Sequence, residues 1–491
     1  MSWTKLKGHN HVDQMEIVEP VLSDRVRAQD AVTEATFSAS GQLCWADKRV
    51  DFDKEVLGFS AEGLEIKIRT VVSNKAGICC FGGASRLIKK NFTFELLSDD
   101  ALRIWTQKFQ EYLDSLGRPK RLFILVNPYG GKKSASKIFL NDVKPFLDDA
   151  NVHYMVQETE RQLHAKEVVQ SLDLSKYDGI VCVSGDGILV EVINGLLHRE
   201  DWENAIKMPI GVVPAGTGNG MAKSLLDSNG EPCAASNATL AVIRGHKRSL
   251  DVATLSQGNT KFFSVLMLAW GLVADIDIES EKYRWMGSAR LDVYAVQRIF
   301  GLRKYNGSVI FVPAPGYESY GEPLDLENQI IVDGEAEMKS DKQYGYHGPE
   351  LDVKSLNWQK VDGPFVSIWL HNVPWGGEDA MAAPNAEFSD GYLDLIMIKD
   401  IPKFALLKLM TELNSGGHVK SPFVSYLKVK AFVLQPGPRT DNPDKAGIID
   451  VDGEVLARGK GTYKCNEETL MRYDKIVIKV DQGLATLFSP N

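Results

Sequence analysis

Cysteine is scarce in this chain: six in 491 residues, at positions 44, 79, 80, 182, 233 and 465, with no C-x-x-C spacing and no metal-ligand pattern. That excludes a disulfide scaffold and a cysteine-built zinc site, and it fits reduced thiols in a cytosolic-type compartment. Long hydrophobic runs are missing too. The longest uncharged apolar stretch, Phe262 to Ala274, has thirteen residues, whereas a membrane-spanning helix needs about 20. A buried strand or helix segment is expected there, in a soluble chain. The opening MSWTKLKGHNHVDQMEIVEP holds no apolar h-region, so no secretory signal is expected. Nor is there an excess of positive charge: 56 Lys and Arg against 65 Asp and Glu leave −9. Nucleic acid is therefore not an expected partner, and an anionic small substrate would need a local cluster of cations. What remains is an ordinary globular balance, 44% hydrophobic and 25% charged, over a length suited to roughly three domains.

The pattern changes twice along the chain. Residues 1–118 form a strand-rich extension: short β-type pieces broken by glycine, then SDDALRIWTQKFQEYLDSLG. The spacing of Leu102, Trp105, Phe109, Tyr112 and Leu113 predicts an amphipathic helix with Ser98 as N-cap and Gly117 as its stop. Strands followed by one long helix suggest a small module of the pleckstrin-homology kind, a candidate for membrane binding. Residues 119–247 alternate strand and helix, the mark of βαβ units and a parallel sheet. Residues 248–485 are mostly strand-like, with helices expected at 289–302 and in PKFALLKLMTELNSGG, and read as an antiparallel β-sandwich. An acidic insertion interrupts them at 317–362. Its stretch 318–352 holds ten acids against two lysines and reads as a solvated loop.

Three glycine-rich loops follow successive strands of the α/β part, where ligands of such sheets bind. The first is Asn127-Pro128-Tyr129-Gly130-Gly131-Lys132-Lys133-Ser134. Its glycines let backbone approach a ligand, and the helix start that follows favours phosphate. No GxxxxGK[ST] runs through it, so it is not a Walker A loop. The second, Ser184-Gly185-Asp186-Gly187, presents an aspartate between glycines at a strand end, placed to deprotonate or orient a hydroxyl. Asp186 is expected to have no packing duty, with Glu191 on the first turn of the next helix. The third is Pro214-Ala215-Gly216-Thr217-Gly218-Asn219-Gly220. Each loop alone is a weak sign; three within one unit point to a phosphate-bearing ligand.

VNPYGGKK, VSGDG and PAGTGN, in this order and spacing, resemble the catalytic domain shared by diacylglycerol, sphingosine and ceramide kinases. The run from Ser264 through Leu266-Met267-Leu268-Ala269-Trp270-Gly271 to Asp277 and Arg284 is similar to sphingosine kinases in particular. With its N-terminal extension and long insertion, the chain looks most like a plant long-chain-base kinase. The resemblance covers about 120–310 and 364–480. It implies an ATP- and Mg²⁺-dependent transfer of phosphate to the primary hydroxyl of a sphingoid base, with Asp186 as general base and metal ligands not identified. Nucleotide contacts carried over by it are Asn127, Pro128, Gly131, Lys132, Thr159, Gly185, Gly187, Glu191, Gly216, Thr217 and Gly218. Arg284 and Arg290 match arginines on the phosphates, and Asp452-Gly453-Glu454 a late turn near phosphates and metal. The copy Asp333-Gly334-Glu335 sits in the acidic insertion and is set aside. Two positions depart from the family: Tyr129 stands where a basic residue is frequent, and Thr217 where serine is also common.

Substrate contacts implied by the resemblance are Ser184, Asp277, Leu272 and Val273. A carboxylate at Asp277 pairs with the protonated amine of a sphingoid base, a charge-assisted bond of about 1.5–3 kcal/mol in a partly dry site. Ceramide and diacylglycerol offer no cation there. Asp275 lies two residues earlier on the same face, so periodicity alone does not choose between the two acids. Met381, Ala382, Ala383, Pro384 and Leu395 are further apolar candidates for an alkyl pocket, or sandwich core. Lys403 and Lys408 among Phe404, Leu406, Leu407 and Leu409 suit either an anionic membrane surface or a plain surface helix. The expected setting is cytoplasmic, with peripheral association to an intracellular membrane. Two rival activities stay open: a ceramide or diacylglycerol kinase, and a soluble-substrate kinase with a GDG turn. So does a lipid-binding or scaffold protein that kept the fold.

Overall fold

The computed structural model describes residues 20–74, 86–131, 133–287, 289–324, 345–350 and 356–491. They fall into two compact units divided at Arg118/Pro119.

The first unit is one seven-stranded antiparallel sheet and one helix. In spatial order the strands are Lys48–Asp51, Gln42–Trp45, Ala31–Ser38, Pro20–Ala28, Arg86–Leu96, Glu65–Asn74 and Val56–Glu62. The helix Asp99–Ser115 starts where the sequence places it: Ser98 Oγ accepts the amide of Ala101 at 3.2 Å. Asp99 and Asp100 favour the positive end of the helix dipole. Its apolar stripe buries Trp105, Phe109 and Leu113 against the sheet, with Phe109 edge-on to Phe37 at 4.9 Å.

The second unit begins as a parallel sheet ordered His153–Glu158, Arg121–Val126, Gly179–Ser184, Ile210–Pro214. The chain starts in Arg121–Val126, adds a strand on one side and the next two on the other. The order therefore reverses between Arg121–Val126 and Gly179–Ser184, and the first two glycine loops open at that switch point. The three strands Arg121–Val126, Gly179–Ser184 and Ile210–Pro214 are buried on both faces, which is why they read as unbroken apolar runs, whereas the edge strand His153–Glu158 is largely exposed.

The predicted border at 247/248 is not a physical boundary. Strand His246–Gln257 spans it and pairs along its length with the last strand, Ile476–Ser489. That last strand also joins the parallel sheet, Leu487 opposite Ile210, and runs past the expected limit of 485. One hydrogen-bonded sheet thus links both halves. The second half is antiparallel as expected, in the order Glu454–Arg458, Ile448–Val451, Met267–Gly271, Ser367–His371, Leu393–Ile398, Ser425–Arg439, Ile476–Ser489. Its core is Trp270, Phe311, Phe365, Leu395 and Phe432 with their neighbours.

Residues 325–344, with Asp333-Gly334-Glu335, and 351–355 lie outside the described part. Residues 345–350 of the insertion correct the expectation of a wholly solvated loop. Tyr346 is half-buried between Trp202 and Phe263, with ring centroids 4.5 and 5.8 Å away, and its hydroxyl donates to Asp481. Aromatic packing outweighs the acidity of the segment.

Candidate active site

The three glycine loops meet backbone to backbone. A Cβ on Gly131 would lie 3.0 Å from the Gly216 carbonyl carbon and the Thr217 nitrogen, and one on Gly216 would lie 2.4 Å from Gly185 Cα. Glycine is required at these contacts because any side chain would push two loops apart. Gly216→Ala is expected to displace the loops by a fraction of an ångström or more and to lower kcat/KM for the nucleotide about 100-fold, read by steady-state kinetics with circular dichroism as the folding control.

Within this cradle the first loop is shaped by Asn127, whose Oδ1 accepts the amides of Tyr129 and Gly130, each at 3.1 Å. Pro128 follows Asn127 directly, Gly131 takes a left-handed φ of 51°, and Tyr129 is exposed. Lys132 lies outside the described residues. Gly187 faces open space, leaving room above the second loop. Thr159 is buried and its amide donates to Val126 O at 2.9 Å, fixing the strand end beside the first loop. Ser184 is buried and donates to Gly185 O at 2.9 Å.

Asp186 corrects the expectation of a freely presented carboxylate. Its Oδ2 accepts the amide of Gly220 and its Oδ1 the amide of Met221, both at 2.9 Å. These are the first amides of helix Gly220–Asp227, which lack partners inside the helix. The aspartate thus caps a helix from another segment, and that fixes its orientation. Gly218 borders it: a Cβ there would lie 3.7 Å from Asp186 Oδ2. Burial pushes the carboxyl above its ordinary range, against the opposing pull of the two amides.

Glu191 sits on the second turn of helix Asp186–Leu197, not the first. Its oxygens accept the amides of Leu163 and Ala165 at 3.0 Å, so it holds the start of helix His164–Ser171 rather than facing open space. Asp452 likewise turns inward. Its carboxylate accepts Ser264 Oγ and the amides of Val265, Leu266 and Met267 at 2.8–3.2 Å. Gly453, at φ 83°, faces open space, and Glu454 Oε2 accepts Gln162 Nε2 at 3.2 Å. That contact brings the late turn to the loop after Thr159.

The run after Gly271 is helical, Leu272–Glu279, not a strand. Residues two apart on a helix point about 200° apart, so the two acids separate. Asp275 turns into the protein, 1% exposed, with Tyr305 Oη at 2.6 Å and Arg303 Nη1 at 3.2 Å. Asp277 is 28% exposed along its side chain, and Arg290 Nη2 stands 3.8 Å from its Oδ1. Of the two acids, Asp277 is thus the more exposed. Arg290, expected on the phosphates, donates to Ser280 Oγ at 3.0 Å and borders Asp277. Arg284 lies in the turn Ser280–Met286; its side chain is outside the described part. Leu272 is buried in an apolar cluster with Ile276, Val366 and Leu406, and Val273 is half-buried. Ala382, Ala383 and Leu395 are core, while Met381 and Pro384 pack on Gly416.

One residue beside this site escaped the sequence reading. Asp450 is fully buried next to Asp277. The signal was an acid inside the apolar strand text GIIDVDG, two residues before Asp452.

Residues 121–255 match the family described as diacylglycerol kinase catalytic domain, and residues 327–471 the YegS C-terminal NAD kinase beta sandwich-like domain. The chain is 60% identical over 473 residues to sphingosine kinase 1 of Arabidopsis thaliana, covering 96% of each chain. It is 58% identical over 487 residues to sphingosine kinase 2 of the same plant, covering 97% of this chain and 99% of that one. Human sphingosine kinase 1 is 33% identical over 351 residues, 70% of this chain and 87% of the relative. With that identity along almost the whole of both chains, and with three glycine loops converging on a capped aspartate, the chain belongs to the sphingosine kinase family.

Proposed function

We propose that this protein transfers the γ-phosphoryl group of ATP to the primary hydroxyl of a sphingoid base. The observation that carries the reading is the separation of Asp277 from Asp275: one acid is left open to a ligand, in a chain whose relatives are sphingosine kinases. The nucleotide lies on the backbone of the three loops, with Lys132 and Arg284 supplying the positive charge that the chain lacks overall, while Arg290 stays beside Asp277 and Ser280. Asp186 takes the hydroxyl proton as the oxygen attacks phosphorus. Burial makes it a stronger base than an exposed aspartate, and its two amide contacts hold it in one orientation. Asp277 binds the ammonium, and Leu272 and Val273 line the start of the alkyl path. Glu191 and Asp452 act one step back, holding the loops in place.

Magnesium suits this site as an ion carried mainly by phosphates. Among the described residues no three His, Cys, Asp or Glu are grouped as a metal cage, and Mg²⁺ commonly needs only one or two carboxylates beside phosphate oxygens. Glu454 is the carboxylate proposed to reach it, and the ion would neutralise charge on the transferring group.

Purified protein with Mg-ATP and sphingosine, phytosphingosine, ceramide or diacylglycerol tests the reading. Transfer to the two free amines alone is expected. Transfer to the neutral lipids would discard the role of Asp277, and transfer to none would discard the lipid-kinase reading.

Peripheral membrane association is part of the proposal. Among the described residues no helix is long and apolar enough to cross a membrane. Helices Ala289–Phe300 and Lys403–Glu412 share a buried cluster, and Lys403 Nζ donates to Phe300 O at 2.6 Å. Their outer sides leave Phe300 58% and Phe404 82% exposed, and Trp285 nearby in sequence is 82% exposed. Large apolar side chains beside lysines suit an anionic bilayer surface. The double variant Trp285→Ala with Phe404→Ala is expected to weaken binding to phosphatidylserine vesicles about tenfold, with unchanged kcat on detergent-dispersed substrate. Equal vesicle sedimentation by parent and variant would remove this surface. The N-terminal sheet-and-helix unit is a second candidate for the membrane, on its pleckstrin-homology-like element order.

A further inference from the structure

Asp450 lies in the strand Ile448–Val451, among Ile448, Ile449 and Val451, all buried. The ladder is irregular between Ile449 and Asp450, and such bulges re-aim a side chain. Asp450 is 0% exposed, and neither of its carboxyl oxygens receives a hydrogen bond from a protein donor. The group within hydrogen-bond reach is another acid, Asp277, on helix Leu272–Glu279. The other charges bearing on Asp450 are Asp452 and Glu454; those bearing on Asp277 are Arg290 and Glu281. Asp452 spends its oxygens on Ser264 and three amides. Arg290 donates to the backbone carbonyl of Asp277 at 3.4 Å, but its Nη2 stands 3.8 Å from the Asp277 carboxylate, beyond a hydrogen bond.

A buried carboxyl group without a donor is unfavourable unless something offers it a proton. Two carboxyl groups in contact do not ionise together readily, so one proton bridges them. Burial and the surrounding acids hold Asp450 well above the ordinary carboxylate range, and burial raises Asp277 as well.

We propose that Asp450 is the inner half of a two-carboxylate ammonium site: empty, it shares one proton with Asp277, and the ammonium of the sphingoid base displaces that proton and binds both carboxylates. This rests on the substrate reading given above. The proton leaves to solvent, no covalent bond changes, and the N–H groups of the ammonium take over the donor role. A neutral headgroup carries no charge with which to expel the proton, so the pair discriminates against ceramide and diacylglycerol more sharply than one exposed carboxylate.

The sign of the pH dependence follows. Binding releases a proton, so affinity rises with pH while the empty pair still holds it, until the substrate's own ammonium titrates. In Asp450→Asn the amide donates to Asp277 at every pH, as the protonated carboxyl does in the parent at low pH. KM for sphingosine in detergent micelles is therefore expected to fall about tenfold with rising pH in the parent. In the variant it should stay near the parent's acidic value across the pH range. Parallel profiles in parent and variant, or a flat KM in a parent that does phosphorylate sphingosine, would overturn the shared-proton site and leave the substrate reading standing. A parent that phosphorylates no sphingosine would overturn that reading itself. Should Asp450→Asn fail to fold, calorimetric titration of the parent with sphingosine micelles, without nucleotide and in buffers of different ionisation enthalpy, decides. Buffer-dependent heat showing proton release is expected, and buffer-independent heat would overturn the proposal.

Discussion

Asp186→Asn is expected to lower kcat by roughly 10²–10⁴ while leaving the fold in place. The side chain keeps its shape, and one amide of the Gly220–Met221 pair keeps its acceptor. The other amide then faces an N–H₂ group, which costs about 1 kcal/mol of stability. What is lost is the proton acceptor. Because burial raises the Asp186 carboxyl, the parent's rate should climb with pH through that raised value, since the ionised form is the base. The asparagine variant's residual rate should lose this limb. Single-turnover transfer to sphingosine across the pH range, with thermal melts beside it, reads both effects. A variant keeping more than about a tenth of the parent's kcat would show that Asp186 is not the base.

Much of this site was legible because its signals are local. Alternating apolar runs and helices between Arg121 and Asp227, with glycine loops after three of the four strands, give both the parallel sheet and the loops that meet at its end. Ser98 with Trp105, Phe109 and Leu113 gives the helix Asp99–Ser115. Elements without such marks were missed. Helix Ala235–Arg244 is buried along most of its length, so no polar face betrays its period. Leu272–Glu279 hides Leu272, Ala274, Asp275, Ile276, Ile278 and Glu279 alike, and a run buried all round reads as strand or helix equally well. The pairing of Ile210 with Leu487 joins residues hundreds apart, and no local pattern encodes it.

Side-chain duties were the least legible part. Asp186, Glu191 and Asp452 each satisfy backbone amides from another segment. A motif read along the chain shows an acid and not the donors that meet it. The two acids of the 275–277 run make the same point. A strand would place them on one face, whereas the helix sends Asp275 to Arg303 and Tyr305 and leaves Asp277 partly exposed.

The late turn Asp452-Gly453-Glu454 gives the second large expectation, because its two acids have parted company. Asp452→Ala removes an acceptor shared by one hydroxyl and three amides in a site only 5% exposed. Each stranded buried amide costs about 1–3 kcal/mol, so a loss on the order of 3–5 kcal/mol of unfolding free energy is expected. The strained position adds to this, since Asp452 holds φ at 54°, a conformation aspartate tolerates better than alanine. The turn Ser264–Met267 would loosen with it, and that turn carries the strand leading into helix Leu272–Glu279. Catalysis would suffer through Asp277 rather than through any phosphate contact. Glu454→Gln should behave in the opposite way. Its carboxylate contacts Gln162 on an exposed surface, so the expected change in unfolding free energy is below about 0.5 kcal/mol, while the nucleotide KM rises if the acid reaches magnesium. Chemical denaturation and ATP titration of the two variants, run side by side, separate the roles. Equal stability of Asp452→Ala and parent would mean that the amides find other partners, and would return Asp452 to the phosphates.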